Sequence, residues 1–193
     1  MNNYEEKFNI AKQLHSSGKI KESQKIYLDL VKIYKNNYIL FYLIGTTFLQ
    51  LKKFDEAINH FDTSIKLNSN FPEAYNNLGI ALTEKEKYSK ALVNYNKAIK
   101  LKDDYIDAHI NRGISLSKLE KFNDAVNDFN FVIRTQPLNP KAHNNLGNVF
   151  KKLKNYDEAI NSYNKAININ QNYFEAISNK AYILSLQKKI MNF

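Results

Sequence analysis

The chain has 193 residues, a formal net charge of +9, 44% apolar residues, five Gly, three Pro, and neither Cys nor Trp. That apolar fraction excludes a disordered chain, and the missing thiols exclude disulfide scaffolds, thiolate metal sites and a Cys nucleophile. So few glycines argue against a turn-rich β sandwich and favour helices around a sizeable core.

The opening residues, Met1-Asn2-Asn3-Tyr4-Glu5-Glu6, lack the basic and apolar regions of a signal peptide. The most apolar stretch, 38–48, is too short to span a bilayer. A soluble cytoplasmic protein without membrane association is the expectation. The basic balance invites a nucleic-acid partner, but the cations are almost all Lys, with Arg only at 112 and 134. Bidentate reading of phosphate or guanine prefers Arg, so nucleic acid is disfavoured. The 28 Asn, with many Lys, Ile and Tyr, point instead to compositional drift.

A repeat organises the chain. Gly45, Gly79, Gly113 and Gly147 are spaced by 34 residues, with Ala11 before them and Ala181 after them in the same register. Such a period marks a stacked-repeat architecture. With the glycine at repeat position 8, the units run 4–37, 38–71, 72–105, 106–139 and 140–173, and 174–193 is a partial sixth unit. Positions 3, 7, 8, 10 and 11 describe a first helix, for instance Ala74, Leu78, Gly79, Ala81 and Leu82. Positions 17, 20, 21, 24, 27 and 28 describe a second, amphipathic helix by their 3.6-residue period. Position 17 holds Ile20, Phe54, Tyr88, Phe122 and Tyr156, and position 24 holds Tyr27, Phe61, Tyr95, Phe129 and Tyr163.

Position 18 offers Asp55, Ser89, Asn123 and Asp157, read as N-caps of the second helix, with Glu56, Asp124 and Glu158 favourable to its dipole. Pro72, Pro137 and Pro140 fall between units, where a missing N–H costs least. Gly18 falls at position 15, in the turn of the first unit. The small residues at positions 8 and 20 let the two helices of a unit approach closely, and the aromatic residues at 17 and 24 fill the space between successive units.

This pattern resembles the tetratricopeptide repeat family, with small residues at positions 8, 20 and 27 and large ones at 4, 7, 11, 17 and 24. Glu73-Ala74-Tyr75-Asn76-Asn77-Leu78-Gly79 and Asn155-Tyr156-Asp157-Glu158-Ala159-Ile160 are similar to the family consensus. The resemblance covers residues 4–193 as one domain and implies an all-α, right-handed α-solenoid. Departures are Lys7, His109 and His143 at position 4 and Arg112 and Lys180 at position 7.

Nothing in the sequence assembles an active site. His109 and His143 occupy equivalent packing positions, and no carboxylate or second His follows at metal-ligand spacing. Asp103-Asp104 falls in an inter-unit turn. No phosphate loop or nucleophile elbow is present. No catalytic residue, metal or cofactor is therefore expected, and the chain reads as a non-enzymatic scaffold.

The family resemblance implies a concave surface lined by the first helices, through positions 2, 5, 6, 9, 12 and 13. Position 6 reads Asn9, Leu43, Asn77, Asn111, Asn145 and Asn179. An Asn amide can pair with both the C=O and the N–H of a peptide backbone. Packed helices lie about 8–10 Å apart and an extended peptide advances about 3.3 Å per residue, so one Asn would meet roughly every third residue. The ladder is similar to the asparagine-lined groove of the repeats in O-linked N-acetylglucosamine transferases. Asn76, Asn144 and Asn148 are expected to add donors on the same face. The family's Lys/Asn/Arg clamp for acidic C-termini is absent in that form: Lys141 alone fits position 2, with Asn145 where Arg is wanted.

Groove chemistry varies along the chain. Ile39, Tyr42, Leu43 and Leu49 form an expected apolar pocket in unit two; units three and four mix acids with Asn; unit five is basic through Lys141, Lys151 and Lys152. A peptide with an apolar anchor at one end and acidic residues near the other would match. The last helix carries Phe174, Ala176, Ile177, Ala181, Ile183, Leu184 and Leu186 with nothing after it to cover them. That implies either self-association through 174–193 or a longer protein, such as a transferase whose substrate-binding arm this chain would be. The leading expectation is a scaffold that binds an extended peptide of a protein partner; the transferase arm is the alternative, and a basic RNA-binding solenoid is the weaker third.

Overall fold

The computed structural model describes residues 3–191. Its elements among these residues are eleven α-helices: α1 (Asn3–Ser16), α2 (Ile20–Ile33), α3 (Tyr38–Gln50), α4 (Phe54–Leu67), α5 (Pro72–Glu84), α6 (Tyr88–Leu101), α7 (Ile106–Lys118), α8 (Phe122–Thr135), α9 (Pro140–Lys152), α10 (Tyr156–Ile169) and α11 (Phe174–Met191). From α3 onward each first helix starts 34 residues after the previous one. Pro72 and Pro140 occupy the first turns of α5 and α9, where no N–H is needed. The chain forms two compact units, Met1–Tyr105 and Ile106–Phe193. The first holds α1–α6, the second α7–α11.

The turn within each hairpin corrects the expected capping. Position 15 is left-handed in every hairpin: Gly18 at φ 80°, Lys52 at 58°, Glu86 at 56°, Glu120 at 58° and Lys154 at 61°. The next N–H then reaches back to close the first helix, as in Lys53 N to Phe48 O and Asn155 N to Phe150 O, both 2.9 Å. This closure leaves position 16 as the N-cap, occupied by Lys19, Lys53, Lys87, Lys121 and Asn155, none with a side-chain cap bond. Asp55, Ser89, Asn123 and Asp157 thus lie inside the second helices, one residue past their aromatic starts. Their acids still stand in the first turn, where the helix dipole favours them. Side-chain caps occur on first helices instead: Asn37 Oδ1 accepts from the N–H of Ile39 and Leu40, and Asn139 Oδ1 from Ala142. Part of the Asn excess is therefore structural.

The glycine column faces the position-24 ring of its own hairpin. A Cβ on Gly45, Gly79, Gly113 or Gly147 would lie 2.6, 2.5, 2.8 or 2.6 Å from a ring carbon of Phe61, Tyr95, Phe129 or Tyr163. Carbon contacts are optimal near 3.5–4.0 Å, so only glycine admits a ring this close. The position-24 aromatics are thus anchored inside their hairpins and also reach the next one, as in the cluster of Ala57, Phe61, Leu78, Ala81, Leu82, Ala91 and Tyr95. Another cluster joins Ala11, Tyr27, Leu30, Leu40 and Ile44. In the other unit, Ala159, Tyr163 and Ala166 pack on Ala176 and Ile183 of α11.

That docking uses one side of α11 only. Phe174, Ile177, Tyr182 and Leu184 remain exposed, at 73%, 38%, 56% and 41%. Among the described residues no helix is long and apolar enough to cross a membrane.

Candidate functional site

Within each unit the first helices touch one another directly, α3 with α5 in the first and α7 with α9 and α9 with α11 in the second. No comparable contact joins second helices among the described residues. The face lined by the first helices is therefore the inner side of each hairpin stack.

In the second unit this face carries a cleft of about 410 Å³ between α7, α8, α9 and α11. Asn145, Asn148 and Asn179 line it, with Lys118, Lys151 and Lys152 at the helix ends and Glu120 and Glu175 among them. Ile114, Phe122 and Phe129 supply its apolar wall. Asn179 is held on both sides: Lys151 Nζ donates to its Oδ1 at 2.7 Å, and its Nδ2 lies 3.5 Å from Asn144 Oδ1. Asn148 Oδ1 accepts from the Tyr163 hydroxyl at 2.9 Å. Asn145 differs, for its Nδ2 is buried without a hydrogen-bond partner. Such a donor is costly to leave unmet. Burial pulls the Lys151 ammonium pKa down, the Lys152 charge adds to that, and Glu175 opposes it. Burial pushes the Tyr163 phenol well up, with Glu175 adding to the effect.

The remaining sequence-derived residues fall elsewhere. Asn77 lies in the first unit, where its Nδ2 donates to the Tyr42 hydroxyl at 3.2 Å and its Oδ1 accepts from Asn76 at 3.2 Å. Asn111 is half-buried on α7, and Lys141 is exposed on the first turn of α9; neither lines the cleft. Asn76 and Asn144 do not reach the groove surface, being 3% and 0% exposed. Position 5 is three residues before the close-packed glycine, so it shares the packing face of the helix. Both residues support groove asparagines from behind.

Of the apolar pocket expected in the first unit, Tyr42, Leu43 and Leu49 are taken up in packing, while Ile39 is 38% exposed. Tyr42 stacks edgewise on Phe71 with centroids 4.9 Å apart. It joins Leu49 against the cluster around Phe61 and Tyr95, while Leu43 packs with the cluster around Tyr27 and Ile44. Burial, then Glu73, raises the Tyr42 pKa.

A tetratricopeptide repeat model matches residues 140–173, and a second model, described as TPR repeat, matches 45–85 and 81–120. Together they cover more than half of the chain. The chain belongs to the tetratricopeptide repeat family. Similar solved structures include YrrB, described as a TPR protein with an unusual peptide-binding site, at 20% identity and TM-score 0.75 over 91% of this chain and 90% of that one. MamA 41-end from Desulfovibrio magneticus RS-1 is 18% identical with TM-score 0.81, covering 90% and 98%. TTC0263, a thermophilic TPR protein of Thermus thermophilus, is 17% identical with TM-score 0.75, covering 94% and 98%. At these identities the likeness is one of fold. No curated protein matches the chain significantly.

One tetratricopeptide hairpin departs from the apolar pattern of its neighbours in a concerted way. His109 and Arg112, at positions 4 and 7 of α7, converge on Asp128 of α8. His109 Nδ1 lies 2.9 Å from Asp128 Oδ1, and Arg112 Nε donates to Oδ2 at 2.8 Å. Arg112 Nη2 donates to Oδ1 at 2.5 Å, and the Phe131 ring stacks on the imidazole at a centroid distance of 4.0 Å. Asp128 is 3% exposed. The departures of this hairpin at positions 4 and 7 are thus one buried network. Its signal in the sequence is an acid two turns into the same unit's second helix. His143 is likewise buried, its Nε2–H donating to the Pro137 carbonyl at 3.0 Å.

Proposed function

We propose that this chain is a non-enzymatic, cytoplasmic interaction scaffold that holds an extended peptide segment of a protein partner along its first helices. The observation that carries the reading is the set Asn145, Asn148 and Asn179 lining one cleft. Asn amides pair with the carbonyls and N–H groups of a peptide backbone without selecting a side chain. The likeness of the asparagine ladder to the groove of O-linked N-acetylglucosamine transferases supports the same mode, as does the peptide-binding site described for YrrB.

The test is a binding titration of labelled peptides against the wild type and the N77A/N111A/N145A variant. Affinity should fall while helicity at the assay temperature is retained; an unaltered affinity would refute the ladder. The exposed face of α11 supports self-association as a further part of the reading. Sedimentation should then show concentration-dependent assembly, and a clean monomer at high concentration would count against it.

A further inference from the structure

A second groove lies on the outer side of the first unit, away from the first-helix face, and does not depend on the peptide reading above. The second helices α4 and α6 both pack on α5 but not closely on each other, which leaves a cleft of about 420 Å³ between them. Leu78 and Leu82 of α5 and Ile58 of α4 give it an apolar floor. Three other residues that line the cleft break the pattern of their repeat columns. Position 25 is Leu28, Asn96, Asn130 and Asn164 in the other hairpins, but Asp62 here. Position 19 is Glu22, Glu56, Asp124 and Glu158, but Lys90 here, and position 22 is Lys25, Asn59, Asn127 and Asn161, but Val93 here.

The fold uses none of the three. Asp62 is half-buried, and neither its carboxylate nor the Lys90 ammonium makes an ion pair or side-chain hydrogen bond among the described residues. Burial raises the Asp62 pKa, and Lys66 one turn along α4 opposes this only in part. Val93 is 68% exposed. Asp55, the other acid of the cleft, is already held by Lys85, whose Nζ donates to both carboxylate oxygens. Lys87, at the N-cap of α6, adds a second cation beside Lys90. A partly desolvated anion without a cation, two cations without an anion and an exposed apolar side chain between them are complementary to a partner of mixed charge. Helical walls over a helical floor are the setting in which a further helix packs ridge into groove. We infer that this outer groove takes one amphipathic helix of a protein partner, with a basic side chain on Asp62, an acidic one on Lys87 and Lys90, and apolar residues over Val93 and the leucines. At a rise of about 1.5 Å per residue, the six repeat positions between Lys90 and Asp62 span about 9 Å. On the partner this is two helical turns: acid and base at i and i+7, with apolar residues at i+3 and i+4 on the same face.

The probe is a set of fluorescein-labelled, Ala-rich helical peptides of about 18 residues with Leu at i+3 and i+4. They differ only at i and i+7, which are Glu and Lys, both Glu, both Lys, or both Gln. Fluorescence anisotropy with the full chain should show the Glu/Lys form binding roughly tenfold tighter than the Gln form, and the like-charged forms gaining less. The gap should narrow at high salt. D62N and K87Q/K90Q should each remove most of it, and V93D, at an exposed position, should abolish binding with helicity retained. The inner-face variant N77A/N111A/N145A should bind the Glu/Lys peptide as the wild type does, which separates this groove from the other. Equal binding of the Glu/Lys and Gln forms overturns the inference, as does undiminished binding to V93D or loss of binding in the inner-face variant. A Glu/Lys peptide interrupted by Pro that binds as well as the intact one overturns the helical occupant. No binding of any of these peptides overturns the outer groove while leaving the inner-groove reading intact.

Discussion

Replacing Gly147 by Ala tests the packing logic of the repeat. The added Cβ would lie 2.6 Å from Cε1 of Tyr163, 2.8 Å from Cδ1 and 3.0 Å from Cζ, and that ring is fully buried. The ring must shift, at a cost of about 1–3 kcal/mol for overpacking. The shift also pulls the hydroxyl off Asn148, worth about 1 kcal/mol. Against this, Ala in a helix is better than Gly by about 1 kcal/mol. The balance is a loss of about 1–3 kcal/mol, or roughly 3–10 °C in Tm for a chain of this size. The first hairpin shows the compensated case: Ala11 stands where later units have Gly, and the Tyr27 hydroxyl opposite it has no partner. Thermal melting by far-UV circular dichroism reads the change. A Tm equal to or above wild type would show that the glycine column does not reflect close ring approach.

The two tyrosine hydroxyls should respond with opposite signs. Tyr27→Phe removes a buried, unpartnered OH and should stabilise by about 1 kcal/mol, whereas Tyr163→Phe breaks the bond to Asn148 and should destabilise by about 1 kcal/mol, both read by urea unfolding. Asp128→Ala leaves the buried His109 and Arg112 without their anion and should cost about 3 kcal/mol, less than a fully buried pair because Arg112 is partly exposed. Replacing all three by apolar residues found at these positions in other units, as H109Y/R112L/D128I, should recover most of that loss; equal losses in both variants would refute the network. His60, stacked on Phe48 at 5.2 Å, has its pKa held below 6.5 by burial. The unfolded chain therefore takes up the proton first, so stability is full above pH 6.5 and declines as pH falls below it. His60→Phe should flatten that decline, and an unchanged pH profile would refute the assignment.

The fold is legible in the sequence because two constraints recur in every unit: a glycine or alanine at position 8 and a ring at position 24. The structure places them face to face, which is why neither column drifts. The capping is not legible, because side-chain chemistry at Asp55 or Asp157 suggests a cap, while the left-handed residue at position 15 closes the first helix one residue earlier. No sequence pattern marks that residue except Gly18, since Lys52, Glu86, Glu120 and Lys154 adopt the same conformation. At position 5 the burial is not legible. Asn76 and Asn144 are polar, yet their phase relative to the glycine turns them into the packing. Lys118, Lys151 and Lys152 fall at positions 12 and 13, already expected to face the groove. Their convergence with Asn145 depends on the stacking of α7, α9 and α11, which a single helix cannot report.

Side-chain amide resonances give the most direct test of the peptide groove. In a nitrogen–proton correlation spectrum of the labelled chain, titration with a binding peptide should shift the Asn145 and Asn148 side-chain NH₂ signals. The Lys151 and Asn179 signals should move with them, while residues on the second helices, such as Val93, stay fixed. Shifts confined to the second helices, with Asn145 unmoved at saturation, would contradict the account.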